Sequence, residues 1–404
     1  MKQKIKFGLV FKLIIGIILG VLFGLYMPVW FNRTIVTISQ IISAFLIFVI
    51  PLMILAFVTM GIADLSNSAG LLLAITAAIA YLSSLVSGTI AFITAENLFP
   101  SFILAAPIDE IRSAEEGMLQ PFFKLPLPPV VSVTGAVVLS FILGLCISSQ
   151  RAKNSDNTLY KSFNEFSTAI NSVLRTVIIP LLPLYICGTF ANMTVSGQTF
   201  AILNLLWKVF LTVIILHLIY LTILFCIAGA ISGKNPFMLM HNQIAGYLSA
   251  IGTQSSAATI PVNLKCAEAD GVSREIRAFV IPLCANIHMA GSMITITSCV
   301  TAVLLINQMP IGLDKIIPFI LTLGIVMIAS PGAPGGAIMT ALPFLPIVGI
   351  PTESTIATLL IALYITQDSF GTACNVSGDN AISVVVDTIY QRRVKKQNMI
   401  LSPK

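Results

Sequence analysis

Four polar residues stand in an otherwise apolar run near the C-terminus: Asp368, Thr372, Asn375 and Asp379. Their spacings of four, three and four put them on one face of an α-helix. Carboxylates inside a membrane-spanning helix cost about 2.5–3.5 kcal/mol each on insertion scales. They persist where they meet a cation, a substrate ammonium or water, so this face reads as a binding stripe. The plainer reading is a polar seam satisfied by neighbouring helices. Asp387, further along, reads as an interfacial residue.

A second polar cluster, Asn286-Ile287-His288-Met289-Ala290-Gly291-Ser292, interrupts another apolar run. A glycine among Asn, His and Ser can unwind a helix and free carbonyls, which are good ligands for a hard cation such as Na⁺. Asn286, His288 and Ser292 are the candidate ion ligands here. His288 has two readings, a hydrogen-bonded buried histidine or a carrier of H⁺.

Two further segments are too short to cross a bilayer once. Residues 237–264 are interrupted by Gly252-Thr253-Gln254-Ser255-Ser256-Ala257-Ala258-Thr259. Residues 313–350 divide around Ser330-Pro331-Gly332-Ala333-Pro334-Gly335-Gly336. Arms of about 15 residues span roughly 22 Å, short of a core of about 30 Å. Both segments therefore read as re-entrant hairpins, whose non-helical tips are tolerated only where they are buried in protein or line a cavity. Two such segments mark a binding site in carriers. Hydroxyls and N–H groups of Ser255, Ser256 and Thr259 near helix N-termini favour a carboxylate. The Pro-Gly tip is suited to hinge as a gate.

The elements that must position these residues are membrane helices. Of 404 residues, 57% are apolar and 9% charged, against about 25% charged in a soluble domain. Expected helices lie near 7–31, 36–63, 70–98, 128–150, 163–193 and 199–232, with a seventh at 275–306 and an eighth at 353–390. Pro51, Pro180 and Pro183 should kink the second and fifth. The run after Lys2, Lys4, Lys6 and Lys12 is too long for a signal peptide and reads as a retained first helix. With both termini cytoplasmic and eight crossings, sixteen Lys/Arg fall inside and four (Arg33, Arg112, Lys124, Lys315) outside, as the positive-inside rule requires. The acidic segment Asp109–Glu116 also falls outside. The protein is thus expected in the inner membrane among lipids, and its charge of +6 does not point to nucleic acid. Its seven cysteines (146, 187, 226, 266, 284, 299 and 374) form no close pair. They read as small buried hydrophobes. No nucleophile–base pair or metal-ligand cluster suggests an enzyme.

These motifs resemble the dicarboxylate/amino acid:cation symporters, the family related to glutamate transporters. The resemblance runs from Ile50-Pro51-Leu52 and Gly61-Ile62-Ala63-Asp64 to the eighth helix. Ser255-Ser256-Ala257-Ala258-Thr259-Ile260-Pro261 is similar to the family's serine-rich tip, and Gly332-Ala333-Pro334-Gly335-Gly336 to its Gly-x-Pro-Gly tip. Thr372-Ala373-Cys374-Asn375-Val376-Ser377-Gly378-Asp379 is similar to its Arg-Thr-x-x-Asn-Val-x-Gly-Asp run without the Arg. The resemblance implies an all-α, elevator-type fold of eight transmembrane helices and two hairpins, assembled as a homotrimer. Residues 1–69 and 128–198 would be scaffold, 70–127 helix 3 with an extracellular loop, and 199–404 the transport core. It further implies that Asp368 binds the substrate ammonium and Asn375 the α-carboxylate, assisted by Thr372 and by tip residues such as Gly332. Asp379 would be a sodium ligand with Asn375, and Met289 would lie near the ions.

The departures narrow the substrate. The Arg that binds an acidic side chain corresponds to Gly371, its acidic supporter to Tyr364, and a second basic position to Gln254. Without a cation to pair a side-chain carboxylate, a small neutral amino acid such as Ser, Thr or Ala is expected. A cation-binding Asp of the family is Ala290 here, which implies fewer sodium sites, or a proton on His288. Rival readings are a carrier for a non-amino-acid monocarboxylate and a non-transporting membrane sensor.

Overall fold

The structure is a computed structural model that describes residues 9–65, 71–103, 119–153, 157–197, 199–328, 330, 335–352 and 354–401. Every regular element among them is a helix. In chain order they are α1 (Leu9–Tyr26), α2 (Val29–Leu65), α3 (Leu71–Leu98), a single turn at Pro100–Ile103, α4 (Val133–Lys153), α5 (Thr158–Val173), a π turn (Leu174–Ile178), α6 (Ile179–Val195) and α7 (Thr199–Ser232). Then come α8 (Pro236–Thr253), α9 (Ser256–Ala269), α10 (Arg274–Ile287), α11 (Ala290–Ile306), α12 (Leu313–Met327), α13 (Gly336–Ala341) and α14 (Thr355–Leu401). A 3₁₀ stretch, Leu342–Val348, continues α13.

Five described stretches are long and apolar enough to cross a membrane: Val29–Met60, Leu72–Ile103, Thr158–Val195, Trp207–Ser232 and Arg274–Ile306. The first, fourth and eighth expected crossings are not among them. Ile14–Tyr26 and Val138–Arg151 are shorter apolar runs. α14 is 47 residues long, but its polar stripe faces other helices, so its composition is that of a buried core. Observed ends also shift: α2 starts at Val29 rather than 36, α4 at Val133 rather than 128, and α14 runs on to Leu401 rather than 390. Helix ends are the least legible feature of a uniformly apolar sequence. Lys2, Lys4, Lys6, Asp109–Glu116 and Gly332 lie outside the described residues.

Pro51 sits inside α2 without ending it. Pro180 has a plainer consequence. It lacks an N–H and its ring crowds the carbonyl four residues back, and just upstream the chain widens into the π turn, with Ile179 N–H bonding Leu174 O.

Two sets of helices pack internally. α1, α2, α4, α5 and α6 contact one another. The α1–α6 contact is close because Gly16, Gly20 and Gly24 form a stripe, where a Cβ would lie 2.5 Å from Pro183 O, 2.5 Å from Cys187 O and 2.4 Å from Thr194 Cβ. Small residues at four-residue spacing let membrane helices meet at their backbones. The other set is α3, α7 and α8 to α14, centred on α10–α11. Arg274–Ile306 is 94% buried over its most apolar window, against 33% for Trp207–Ser232, so α11 is the axis and α7 the rim. α8 packs on α9, and α12 on α13 and its 3₁₀ extension, giving two helix pairs where short segments were expected. Of the seven cysteines, Cys146 and Cys226 are exposed rather than buried. They sit on the outer faces of α4 and α7.

Candidate functional site

The site forms where α10 ends and α11 begins. His288 and Met289 leave the helix, at φ −103°, ψ 105° and φ −122°, ψ 38°. A new helix exposes N–H groups that need acceptors, and Met289 has no oxygen to supply. Asn375 caps from α14 instead. Its Oδ1 accepts from Gly291 N–H at 2.8 Å and Ser292 N–H at 3.3 Å, and its Nδ2 donates to Ser292 Oγ at 3.0 Å and reaches Met289 Sδ at 3.4 Å. α11 and α14 touch through glycines here: a Cβ on Gly291 would lie 2.3 Å from Gly371 O, and one on Gly371 only 3.3 Å from Thr295 Oγ1. Gly371 therefore marks a close contact between α11 and α14.

His288 caps α10 and is fully buried. Its Nδ1 lies 2.9 Å from Asp379 Oδ1 and its Nε2 2.9 Å from Ser83 Oγ on α3. An ionised carboxylate only accepts, so Nδ1 carries the proton. Ser83 Oγ is in turn 2.8 Å from Tyr220 Oη, which donates to Ser83 O. The ring packs closely against α14 at Gly378, where a Cβ would be 2.4 Å from His288 Cε1. Asp379 is 1% exposed and its Oδ2 has no hydrogen-bond partner. A buried anionic oxygen without a donor is costly, and it fits a cation better than it fits an empty space. Ala290, read as a departure from the family's Asp, offers its backbone O to Ser87 Oγ at 3.0 Å.

About three turns back along α14 from Asp379, Asp368 is buried and accepts two hydrogen bonds. Gly335 N–H reaches its Oδ2 at 2.6 Å, and Tyr364 O–H its Oδ1 at 2.8 Å. Neither partner is cationic. Tyr364 Oη also lies 3.3 Å from Ser292 Oγ. A polar chain thus runs from Gly335 through Asp368, Tyr364 and Ser292 to Asn375 and the helix break. Thr372 is buried on the same face.

At the break between α8 and α9, Gln254 takes the left-handed conformation (φ 53°) and Ser255 caps α9 through Ala258 N–H at 3.3 Å. Gln254, Ser255 and Ser256 are all buried. The end of α8 packs Ala250 on Ala373 and Val376 of α14. Below that contact lies a network of amides. Asn263 Nδ2 donates to Val376 O (2.8 Å), Gln243 Nε2 to Asn263 Oδ1 (3.0 Å), and Asn380 Nδ2 to Gln243 Oε1 (2.8 Å) and to Asp270 Oδ2 (2.7 Å). Asn242 Nδ2 donates to Asp270 Oδ1 at 2.8 Å. Each of these amide groups has partners of the right kind.

The structure therefore brings together Asp368, Asn375, Asp379, His288, Met289 and Ser292. Asn286 is not among them: it is exposed and donates to Pro282 O of its own helix at 3.0 Å. Two positions along a helix turn a side chain by about 200°, so Asn286 and His288 cannot share a face. Asp387, read as interfacial, accepts from Ser273 O–H at 2.5 Å and ties α14 to the start of α10. Sequence reading missed the amide network and His217. The latter is a lone histidine in an apolar helix, a signal in itself. It is fully buried on α7, with Nε2 3.0 Å from Gly291 O and Nδ1 unpartnered.

The sequence pattern described as "Sodium:dicarboxylate symporter family" matches residues 9–389. The chain is 28% identical over 273 residues to excitatory amino acid transporter 3 of Homo sapiens, covering 67% of this chain and 51% of that protein. It is 28% identical over 298 residues to neutral amino acid transporter B(0) of Homo sapiens, covering 70% and 53%. With excitatory amino acid transporter 1 of Mus musculus it shares 27% over 304 residues, covering 74% and 55%. The chain spans about half the length of the curated relatives it matches. Because the matched pattern takes in both helix pairs, the broken α10–α11 and the polar stripe of α14, the chain belongs to the sodium:dicarboxylate symporter family.

Proposed function

We propose that this chain is a secondary active symporter that moves a small neutral amino acid, of the Ser, Thr or Ala kind, into the cell with Na⁺. The observation that carries this reading is the environment of Asp368. It is a buried carboxylate whose described partners are a tyrosine hydroxyl and a backbone N–H. Such a group suits an ammonium, and it has no guanidinium beside it to hold a second carboxylate. Neutral amino acid transporter B(0) among the relatives agrees with that choice.

In this reading α8–α9 and α12–α13 are re-entrant hairpins among eight crossings, with both termini cytoplasmic. α1, α2 and α4–α6 are the scaffold of a homotrimer, and α3 with α7–α14 is the part that moves elevator-fashion. Contacts denser within each set than between the two support that division. Thr372, Asn375, Ser255, Ser256 and the Gly332 tip complete the substrate site. Asp379 holds the ion with carbonyls freed at the helix break. His288 fills one side of Asp379 and Ala290 adds no carboxylate, so fewer sodium ions are carried than a full set of acidic ligands would hold.

Purified protein in proteoliposomes tests this. Labelled alanine, serine or threonine should accumulate under an inward Na⁺ gradient, and aspartate should not compete. Accumulation that follows an imposed pH gradient and persists without Na⁺ would move the coupling to H⁺ and His288. No accumulation under either gradient would overturn the symporter reading for these solutes.

A further inference from the structure

α7 lies at the rim of its helix set, yet two polar side chains on it point inward, His217 and Tyr220. Three positions apart, they share a face of the helix, and they reach opposite sides of the break between α10 and α11. Tyr220 Oη donates to Ser83 O and lies 2.8 Å from Ser83 Oγ, which meets His288 at the end of α10. His217 Nε2 lies 3.0 Å from Gly291 O and 3.1 Å from Thr295 Oγ1, in the first turns of α11. A carbonyl only accepts, so Nε2 carries the proton and Nδ1 is a bare lone pair. That nitrogen is buried and has no hydrogen-bond partner.

Stability alone would not choose this residue. Gly291 O also accepts from Thr295 O–H at 3.0 Å, so it keeps a partner if the imidazole is removed. An apolar side chain of similar size would orphan nothing and would abolish the unpaired Nδ1, a change that is neutral or favourable in a buried site. What the imidazole adds is position. The first turn of α11 is held through its N–H groups by Asn375 of α14, and through a carbonyl by His217 of α7. Two holds from different helices fix a turn that one hold would let pivot. We propose that His217 is a positioning residue for a cation site at the break: through Gly291 it sets the start of α11 against α7, and so the place of the break beside Asp379. Removing it should weaken a bound cation without weakening the empty fold. The consequence for Na⁺ rests on the carrier reading above; the brace between α7 and α11 does not.

Thermal melts of the full chain in lipid nanodiscs, titrated with NaCl against choline chloride at constant ionic strength, test this. A ligand that binds only the folded state raises the melting temperature with its concentration, so the half-saturating Na⁺ and the Na⁺-free melting temperature are read separately. His217→Leu should melt without Na⁺ at or above the temperature of the unsubstituted protein. It should need up to about tenfold more Na⁺ for half of the stabilisation, as for one lost hydrogen bond. His217→Gln should restore the Na⁺ requirement, because a glutamine amide N–H reaches as far as Nε2. His217→Asn, which reaches only as far as Nδ1, should not. A His217→Leu protein that fails to fold, or that melts lower by the same amount at every Na⁺ concentration, overturns the positioning role and makes His217 a packing residue. Glutamine behaving as leucine overturns the hydrogen bond to Gly291 as its cause. No response to Na⁺ in the unsubstituted protein overturns the Na⁺ site itself, and the positioning role with it. A response of equal midpoint in all four proteins overturns the role of His217 alone.

Discussion

The two helix pairs are fastened to α14 in opposite ways. The first, α8–α9, is tied by Gln243, Asn263, Asp270 and Asn380 in a buried network that reaches the α14 backbone at Val376 O. Among the described residues the second, α12–α13, reaches the α14 stripe through one hydrogen bond, from Gly335 N–H to Asp368. Opening the first would leave several amides and a carboxylate without partners at once, at about 1–3 kcal/mol for each group. Opening the second breaks one such bond among the described residues. The second pair is therefore the more lightly held of the two, while the first is tied to α14 as one packed unit.

Substitutions can break or sharpen this contrast. Asn380→Ala should have the largest effect. It strands Gln243 Oε1 and Asp270 Oδ2, lowering stability by about 2–4 kcal/mol, with faster hydrogen exchange across α8–α9 and little change across α13. Equal loosening of both pairs would show that they are not independently held. Gly378→Ala comes next. Its methyl would sit 2.4 Å from His288 Cε1, so the imidazole must leave Asp379, at about 1–3 kcal/mol for overpacking. The half-saturating Na⁺ concentration of uptake should shift while exchange in both helix pairs stays put. Thr340→Val should be smallest. Thr340 Oγ1 bonds Gly336 O at 2.9 Å and lies 3.4 Å from Ser330 Oγ, and its loss should cost about 0.5–1.5 kcal/mol, read in thermal melts. A larger loss would mean that the second pair has an internal fastening comparable to the first.

The sequence made one of these two fastenings legible. The α14 stripe is periodic, so Asp368, Asn375 and Asp379 could be assigned to one face, while Tyr364 and Gly371 stood out only against the pattern of the family it resembles. The interrupted apolar arms located both helix pairs and the break after α10. The amide network has no such period: residues 243, 263, 270 and 380 meet only because three helices converge. Polar side chains in apolar runs were the available signal, yet nothing local says which of them are partners. Asn286 failed for the opposite reason, since proximity in sequence to His288 concealed that it lies on another face. Asn375 shows a third limit. Its place on the stripe was readable, but its present use, capping α11 across a helix gap, depends on backbone atoms of a different segment.

The contact between Gly291 and Gly371 reaches beyond helix packing. Any side chain at 371 starts against the Thr295 hydroxyl, and the carbonyl of 371 leaves no room for a Cβ at 291. Introducing a guanidinium there requires Thr295 to yield as well as glycine to be replaced. Under the proposed function, the absence of a cation at 371 and the closeness of two helices are one feature, and placing a guanidinium there takes a change at a second position as well.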